Sequence, residues 1–504
     1  MKALKYLACA TGLALSTLFA TSCKESLLEI QPIANNTADT FYKDESQLNQ
    51  AVVAIYNGCL SLPQTSSWNM SEFRSDNINP LSQGVQRDFS DISNFRATSQ
   101  TSQIQTTWSD LFEIVYRANI LQEKIQPFNF TRVNQFVGEA RFLRALAYFD
   151  LVRYWGPVPV ADHVYGIEDS KRIPRAPIAD VYQFIVNDLK FAAENLPASY
   201  ATTDKGRATK WAAKALLGKV YLTMYGYPLR DASALLLAKQ QLLEVYAAES
   251  ATTFSMAPSF PDLFKTANDN RYAVFEIQYI SGGTGLGSTV PYDQGNTFPT
   301  FWSAYAPNTA NDIVPSPGLF GASWPKADRR KAATIDSVIR NPTTGVIVPG
   351  RPQFTKFLEK GTTAPQNNRD YPNNFPILRF EDVMLLYAEV LNEEVADGAN
   401  APALALTIIN RIRVRSGIAP LTTMTKTAFR AAILRERRWE FVVEGQRWFD
   451  LVRTGNAIAV LTQYKIDTAV PLGRTLDEHD LLFPIPLLEL RINPGFWEQN
   501  PGYN

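Results

Sequence analysis

The chain has 504 residues, 45% hydrophobic and 19% charged, which is a globular composition and not a disordered one. Its 49 basic and 49 acidic residues balance, so a nucleic-acid binder that works through clustered positive charge is not expected. Two histidines and three cysteines are too few for a structural zinc site or a disulfide framework, and no cofactor is expected; bound calcium is left open.

Lys2 and Lys5 precede an apolar run from Tyr6 to Ala20, the pattern of a signal peptide over residues 1–22. Ala20-Thr21-Ser22 followed by Cys23 is similar to a bacterial lipobox, with Ala20 where leucine is usual. Cys23 is therefore the expected lipidation site and first residue of the mature chain, 23–504. No other stretch approaches the ~20 apolar residues of a transmembrane helix.

Helical periodicity begins near Glu45, where Leu48, Val52, Ile55, Tyr56 and Cys59 share a face. Residues 61–106 are rich in Ser, Thr, Asn and Gln and read mainly as loop. Helices are expected from Thr107, with Trp108, Leu111, Phe112 and Val115 on one face, and over 135–155, 177–196, 208–225 and 231–246. Three more are expected late, over 380–394, 401–416 and 426–452. Arg144-Ala145-Leu146 and Trp155-Gly156 echo Lys214-Ala215-Leu216 and Tyr225-Gly226 at an offset of about two 34-residue repeats, and Leu217-Gly218-x-x-Tyr221 matches the tetratricopeptide core. The fold class is thus mainly α, a tetratricopeptide-like scaffold of helix pairs. The pairs are 107–155, 177–226, 231–246 with 380–394, and 401–452. The third pair is split by a loop-rich insertion, about 250–378, containing short strands such as 271–280.

Catalytic motifs fail on context. Gly282 to Gly287 is glycine-rich, but Ser288-Thr289-Val290-Pro291 follows where a dinucleotide fold needs a helix. Gly321-Ala322-Ser323-Trp324-Pro325 lacks the second glycine of a nucleophile elbow. His163 and His479 lie in no recognisable motif. Glu436, Glu440 and Glu444 share a helical face among Arg435, Arg437, Arg438 and Arg447, which reads as an ion-paired face; acid–base work by two of them is the alternative. Aromatic residues in aperiodic segments are the better candidates: Trp68, Tyr292, Trp302, Tyr305 and Trp324. Trp68 adjoins Asn69, Arg74, Asp76 and Asn77, and Asn308 and Asp312 follow Tyr305. A flat ring beside such polar groups packs on a sugar face and satisfies its hydroxyls. These residues are the expected ligand platform.

Several segments, in order, resemble the SusD/RagB family of outer-membrane lipoproteins. They are Ser22-Cys23 with Leu27 to Pro32; Glu139 to Ala145 leading to Tyr154-Trp155-Gly156-Pro157-Val158-Pro159; Leu385 to Glu389; Arg435 to Phe441 with Glu444 to Arg453; Phe483-Pro484-Ile485-Pro486; and Gln499 to Tyr503. The resemblance implies a tetratricopeptide-like fold and a surface-exposed, non-catalytic lipoprotein. It implies capture of oligosaccharide, or of peptides, for a SusC-like TonB-dependent β-barrel transporter. A surface glycoside hydrolase and a protein-binding adaptor are the alternatives. The matching motifs are structural helices, so they transfer no ligand contacts.

Overall fold

The computed structural model describes residues 41–80, 87–294, 313–340, 347–359, 369–470 and 472–503. The chain divides after Leu48 into a short N-terminal segment, with Phe41 and Tyr42 ring against ring, and a body from Asn49 onward. Helix α1, Glu45–Gly58, is followed by α2 Ser102–Lys124, α3 Val133–Trp155, α4 Ile178–Asn195, α5 Lys210–Tyr225 and α6 Ala234–Ala247. After the insertion come α7 Phe380–Glu393, α8 Ala403–Arg415, α9 Lys426–Phe441, α10 Arg447–Arg453 and α11 Ala457–Asp467.

From α2 to α8 each helix packs on the next, including α6 on α7 across the insertion. Close approach is built into the repeat: a Cβ on Gly218 would stand 2.7 Å from Leu242, so glycine lets α5 sit against α6. Thr209 and Thr425 cap α5 and α9 by accepting from the amides of Ala212 and Ala428. The last expected pair differs in detail, because α8 and α9 both pack on α7.

The strands are short and form antiparallel pairs, only some of them within the insertion. With β1 Ile78–Pro80, β2 Val158–Pro159, β3 Arg175–Ala176, β4 Ala273–Ile277, β5 Ile313–Pro315, β6 Ile335–Arg340, β7 Ile347–Phe354 and β8 Phe375–Arg379, the pairs are β1–β5, β2–β3, β4–β8 and β6–β7.

Two expectations are corrected. The 61–80 stretch is not loop: after one 3₁₀ turn the chain runs as a π-helix over Pro63–Glu72. Its polar residues face inward with partners. Ser66 donates to Asp150, Ser71 to the Gly445 carbonyl at 2.7 Å, and Asn69 to Gln103 at 2.9 Å. The expected 426–452 helix breaks after Phe441, where Val443 and Gly445 take φ of 60° and 75°. A Cβ on Gly445 would meet Ser67 at 2.6 Å, and the Gly445 amide donates to Glu72. Packing against the π-helix thus overrides local helix propensity.

The expected ion-paired face of α9 is real, but buried. Glu440 pairs with Arg330 at 3.0 Å, Arg379 at 2.9 Å and Arg415 at 2.7 Å. Glu436 pairs with Arg330 and Arg413, each at 2.7 Å. Glu444 pairs with Lys356 at 2.5 Å and Arg379 at 2.9 Å. Arg330 and Lys356 come from the insertion, so this cluster ties it to α7, α8 and α9. Burial alone would raise the Glu440 carboxyl, but Arg415, Arg379 and Arg330 overcome it and hold it well below the usual range.

Removing Glu440 leaves three buried guanidiniums without their shared counter-charge. Glu440→Gln is expected to cost about 3–5 kcal/mol in urea unfolding, with helical circular dichroism retained. A carboxyl with a depressed folded-state pKa stabilises above its unfolded value and loses that contribution as pH falls. The wild type therefore weakens below about pH 4.5, and E440Q shows a shallower acid slope. A loss under about 1 kcal/mol would refute the structural role given to this residue.

Candidate functional site

The expected platform is mostly core. Trp68 is 1% exposed and meets Phe73 and Phe354 edge-on, with centroids at 5.5 and 6.2 Å. Trp324 is 0% exposed, stacks on Trp439 at 6.3 Å and donates to Asp328 at 2.9 Å. Asn69 is buried on Gln103. Arg74 donates to the carbonyls of Ile92 and Asp480 and lies over the Phe95 ring at 4.0 Å. Asp76 pairs with Arg438 at 3.0 Å and Arg447 at 2.7 Å; burial opposes its charge, yet the two guanidiniums hold it down to about 2. Asn77 bridges Glu72 and Arg438. These six residues build the interior. Polar neighbours in sequence looked like sugar contacts; in the fold each is satisfied by partners from other parts of the chain.

Tyr292 is different. It lies half-buried on a short helical turn, Val290–Gln294, packed on Leu358 and Tyr371, with the Arg369 guanidinium 5.7 Å from its ring centre. Pro291 therefore starts a turn here. The backbones of Ser288 and Tyr371 exchange hydrogen bonds, and Gln64 donates to Asp293 at 2.5 Å. The Gly282 and Gly283 amides are occupied by the Asp370 carboxylate at 2.7 and 2.8 Å. Trp302 and Tyr305, with Asn308 and Asp312, lie outside the described residues, as does Cys23.

A second aromatic surface was not expected from the sequence. It is a cleft of about 440 Å³ between α2, the segment between β2 and β3, and the C-terminal stretch around 489–497. Ser109, Phe112, Glu113 and Tyr116 follow Trp108 at helical spacing, so α2 supplies rings and polar groups to one wall. Trp108 lies buried beneath, 4.9 Å from Phe112 and 6.2 Å from Trp497. Tyr116 and Phe496 are 51% and 42% exposed.

Hydrogen bonds fix the other walls. Asn119 donates to the carbonyls of Ala161 and His163 at 2.9 and 3.0 Å, and Arg144 donates to that of Asp162 at 3.0 Å. Tyr165 and His163 both bond the Asp162 carboxylate, and their rings lie 3.9 Å apart. Trp497 donates to the Ile173 carbonyl and Asn493 to that of Lys171, each at 3.0 Å, stitching the C-terminal stretch to this segment. Glu113, Lys171, Glu489 and Asn493 are among the polar residues of the lining. Exposed ring surface beside planar polar groups is suited to the apolar and hydroxyl faces of a saccharide.

The same geometry argues against catalysis by the α9 carboxylates, which are buried and ion-paired. His163 is exposed beside Asp162, and His479 pairs with Asp477. No described helix is long and apolar enough to cross a membrane.

Core and cleft rings are separable by stability. Trp68→Ala and Trp324→Ala are expected to cost about 3–5 kcal/mol each in denaturant unfolding. Tyr116→Ala and Phe496→Ala are expected to stay within about 1 kcal/mol of wild type. The reverse order would invalidate this assignment of core and surface.

Comparison with known proteins agrees with this architecture. Residues 341–503 match the model of the SusD family, and residues 28–222 match a family described as starch-binding and associating with the outer membrane. A SusD-like protein of Bacteroides ovatus is 28% identical, covering 87% of this chain and 81% of its own. A SusD homolog from Bacteroides thetaiotaomicron superposes with a TM-score of 0.79 at 22% identity, over 93% of this chain and 99% of that one. A laminarin-binding SusD-like protein superposes with a TM-score of 0.75 at 26% identity, over 92% and 100%. The chain belongs to the SusD/RagB family.

Proposed function

We propose that this protein captures an oligosaccharide at the cell surface and passes it, without cleaving it, to a SusC-like TonB-dependent β-barrel transporter. The observation that carries the reading is the cleft over α2: exposed ring surface from Tyr116 and Phe496, set beside Glu113, Lys171, Glu489 and Asn493. The laminarin-binding relative supports a glycan as the ligand class. A second surface is favoured by the half-buried Tyr292 under Arg369; Trp302 and Tyr305 stay candidates from the sequence alone.

Calorimetry against a glycan panel tests the reading and chooses between the surfaces. Losing a stacking ring should weaken binding about tenfold or more, at 1.4 kcal/mol per decade. The double variant Tyr116→Ala/Phe496→Ala is expected to do so. If only Tyr292→Ala/Trp302→Ala does so, the ligand sits on the second surface. Absence of affinity for every glycan, with peptide binding instead, would replace the ligand class. New reducing ends during incubation would point to a hydrolase.

Anchoring through Cys23 is part of the same proposal. Two or more acyl chains hold a protein on a membrane stably, whereas one does so marginally. Cys23→Ala is expected to release the protein into soluble fractions. Purification from native membranes is expected to recover a β-barrel partner; its repeated absence would remove the delivery step.

A further inference from the structure

A second large cleft, about 860 Å³, opens between the end of α5, α7, α9 and α10. Its lining carries six arginines, Arg230, Arg430, Arg435, Arg438, Arg447 and Arg453, against two acids, Glu389 and Glu393. Some of this charge is answered. Arg430 pairs with Glu393 at 2.5 Å, and Arg453 pairs with Glu389 at 2.5 Å and Asp450 at 2.8 Å. The rest is in surplus. Arg438 and Arg447 share the single carboxylate of Asp76. Arg230 and Arg435 are exposed, pair with no acid among the described residues, and lie 5.7 Å from the ring centres of Tyr227 and Trp439.

The surplus is positioned rather than diffuse. A Cβ on Gly226 would meet the Arg453 carbonyl at 2.3 Å, and the Tyr227 amide donates to that carbonyl at 2.9 Å. The Arg230 turn is thereby held against α10. Burial pulls the Arg438 guanidinium below its usual value; Asp76 opposes this and Arg447 adds to it. An anion entering here would meet Arg230 and Arg435, whose guanidiniums pair with no acid among the described residues, and a guanidinium binds sulfate or carboxylate in two-point contacts. The volume suits a drug-sized ligand and exceeds what a bare inorganic ion fills. Tyr225, Tyr227, Thr427 and Asn456 supply ring and polar lining of the kind a sugar uses.

We propose that this cleft binds the sulfate or carboxylate groups of an acidic oligosaccharide. The inference rests on the glycan-binding reading and adds a substrate class to it. Its residues are distinct from those of the aromatic cleft, so the two can fail independently.

The test is calorimetry at two ionic strengths with three probes: a sulfated cello-oligosaccharide, its unsulfated counterpart and inorganic sulfate. Wild type should bind the sulfated probe at least tenfold more tightly than the unsulfated one, with the gap narrowing as salt rises. Arg230→Gln/Arg435→Gln should bring the two within about twofold. Lys124→Gln/Lys190→Gln, which removes the same charge from exposed sites on α2 and α4, should keep the full preference. Equal binding of both saccharides overturns the proposal, as does an undiminished preference in R230Q/R435Q. An equal loss in the lysine variant would mean a general polyanion effect, and displacement by inorganic sulfate at matching concentration would mean a simple ion site. Either also overturns it. Binding of neutral glycans through Tyr116 and Phe496 would survive any of these failures.

Discussion

The buried ion cluster around Glu440 is the constraint on which the rest of the structure depends. Arg330, Arg379 and Arg415 reach one carboxylate from the insertion, the start of α7 and the end of α8. Apolar packing could hold these elements together, but it has little directional preference. Bidentate guanidinium contacts fix both register and orientation. Arg379 also grips Glu444 with two nitrogens at 2.9 Å, which sets the chain's course just after the break that ends α9. Buried charge of this kind is costly unless every partner is present, so the cluster selects one arrangement of helices and insertion.

That arrangement has consequences for binding surfaces. The π-helical stretch Pro63–Glu72 lies between the Gly445 turn, through Ser71 and Glu72, and Asp293 beside Tyr292, through Gln64. Loop residues near Tyr292 are therefore held by the same polar interior that holds α9. The aromatic cleft is held separately, by Asn119, Arg144 and Trp497, each bonding backbone carbonyls of its walls. Walls fixed before binding spare a ligand the entropy cost of ordering them.

Periodicity revealed the scaffold because most helices of the stack have an apolar stripe, and Gly218 betrayed a close helix contact. It failed where polar residues are interior. Ser66, Asn69, Ser71 and Glu72 look like loop composition, yet each is buried and bonds a partner from another segment, and no local pattern encodes partners as remote as Asp150 or Gly445. Trp68 and Trp324 misled for the same reason: an aperiodic aromatic is exposed or core according to contacts far along the chain. The α2 cleft left a readable trace. Trp108, Phe112 and Tyr116 recur every four residues with Ser109 and Glu113 alongside, so the aromatic stripe continues onto a polar face. Its other walls, 159–173 and 489–497, are more than 300 residues apart and carry no shared pattern.

Hydrogen–deuterium exchange with and without a saturating glycan ligand measures the central claim, capture on a preformed aromatic cleft, most directly. The account predicts added protection within 108–119, 159–173 and 489–497, while the amides around Glu440 stay as slow as in the free protein. Protection confined to other segments, or slowing spread across the whole helical stack, would contradict it.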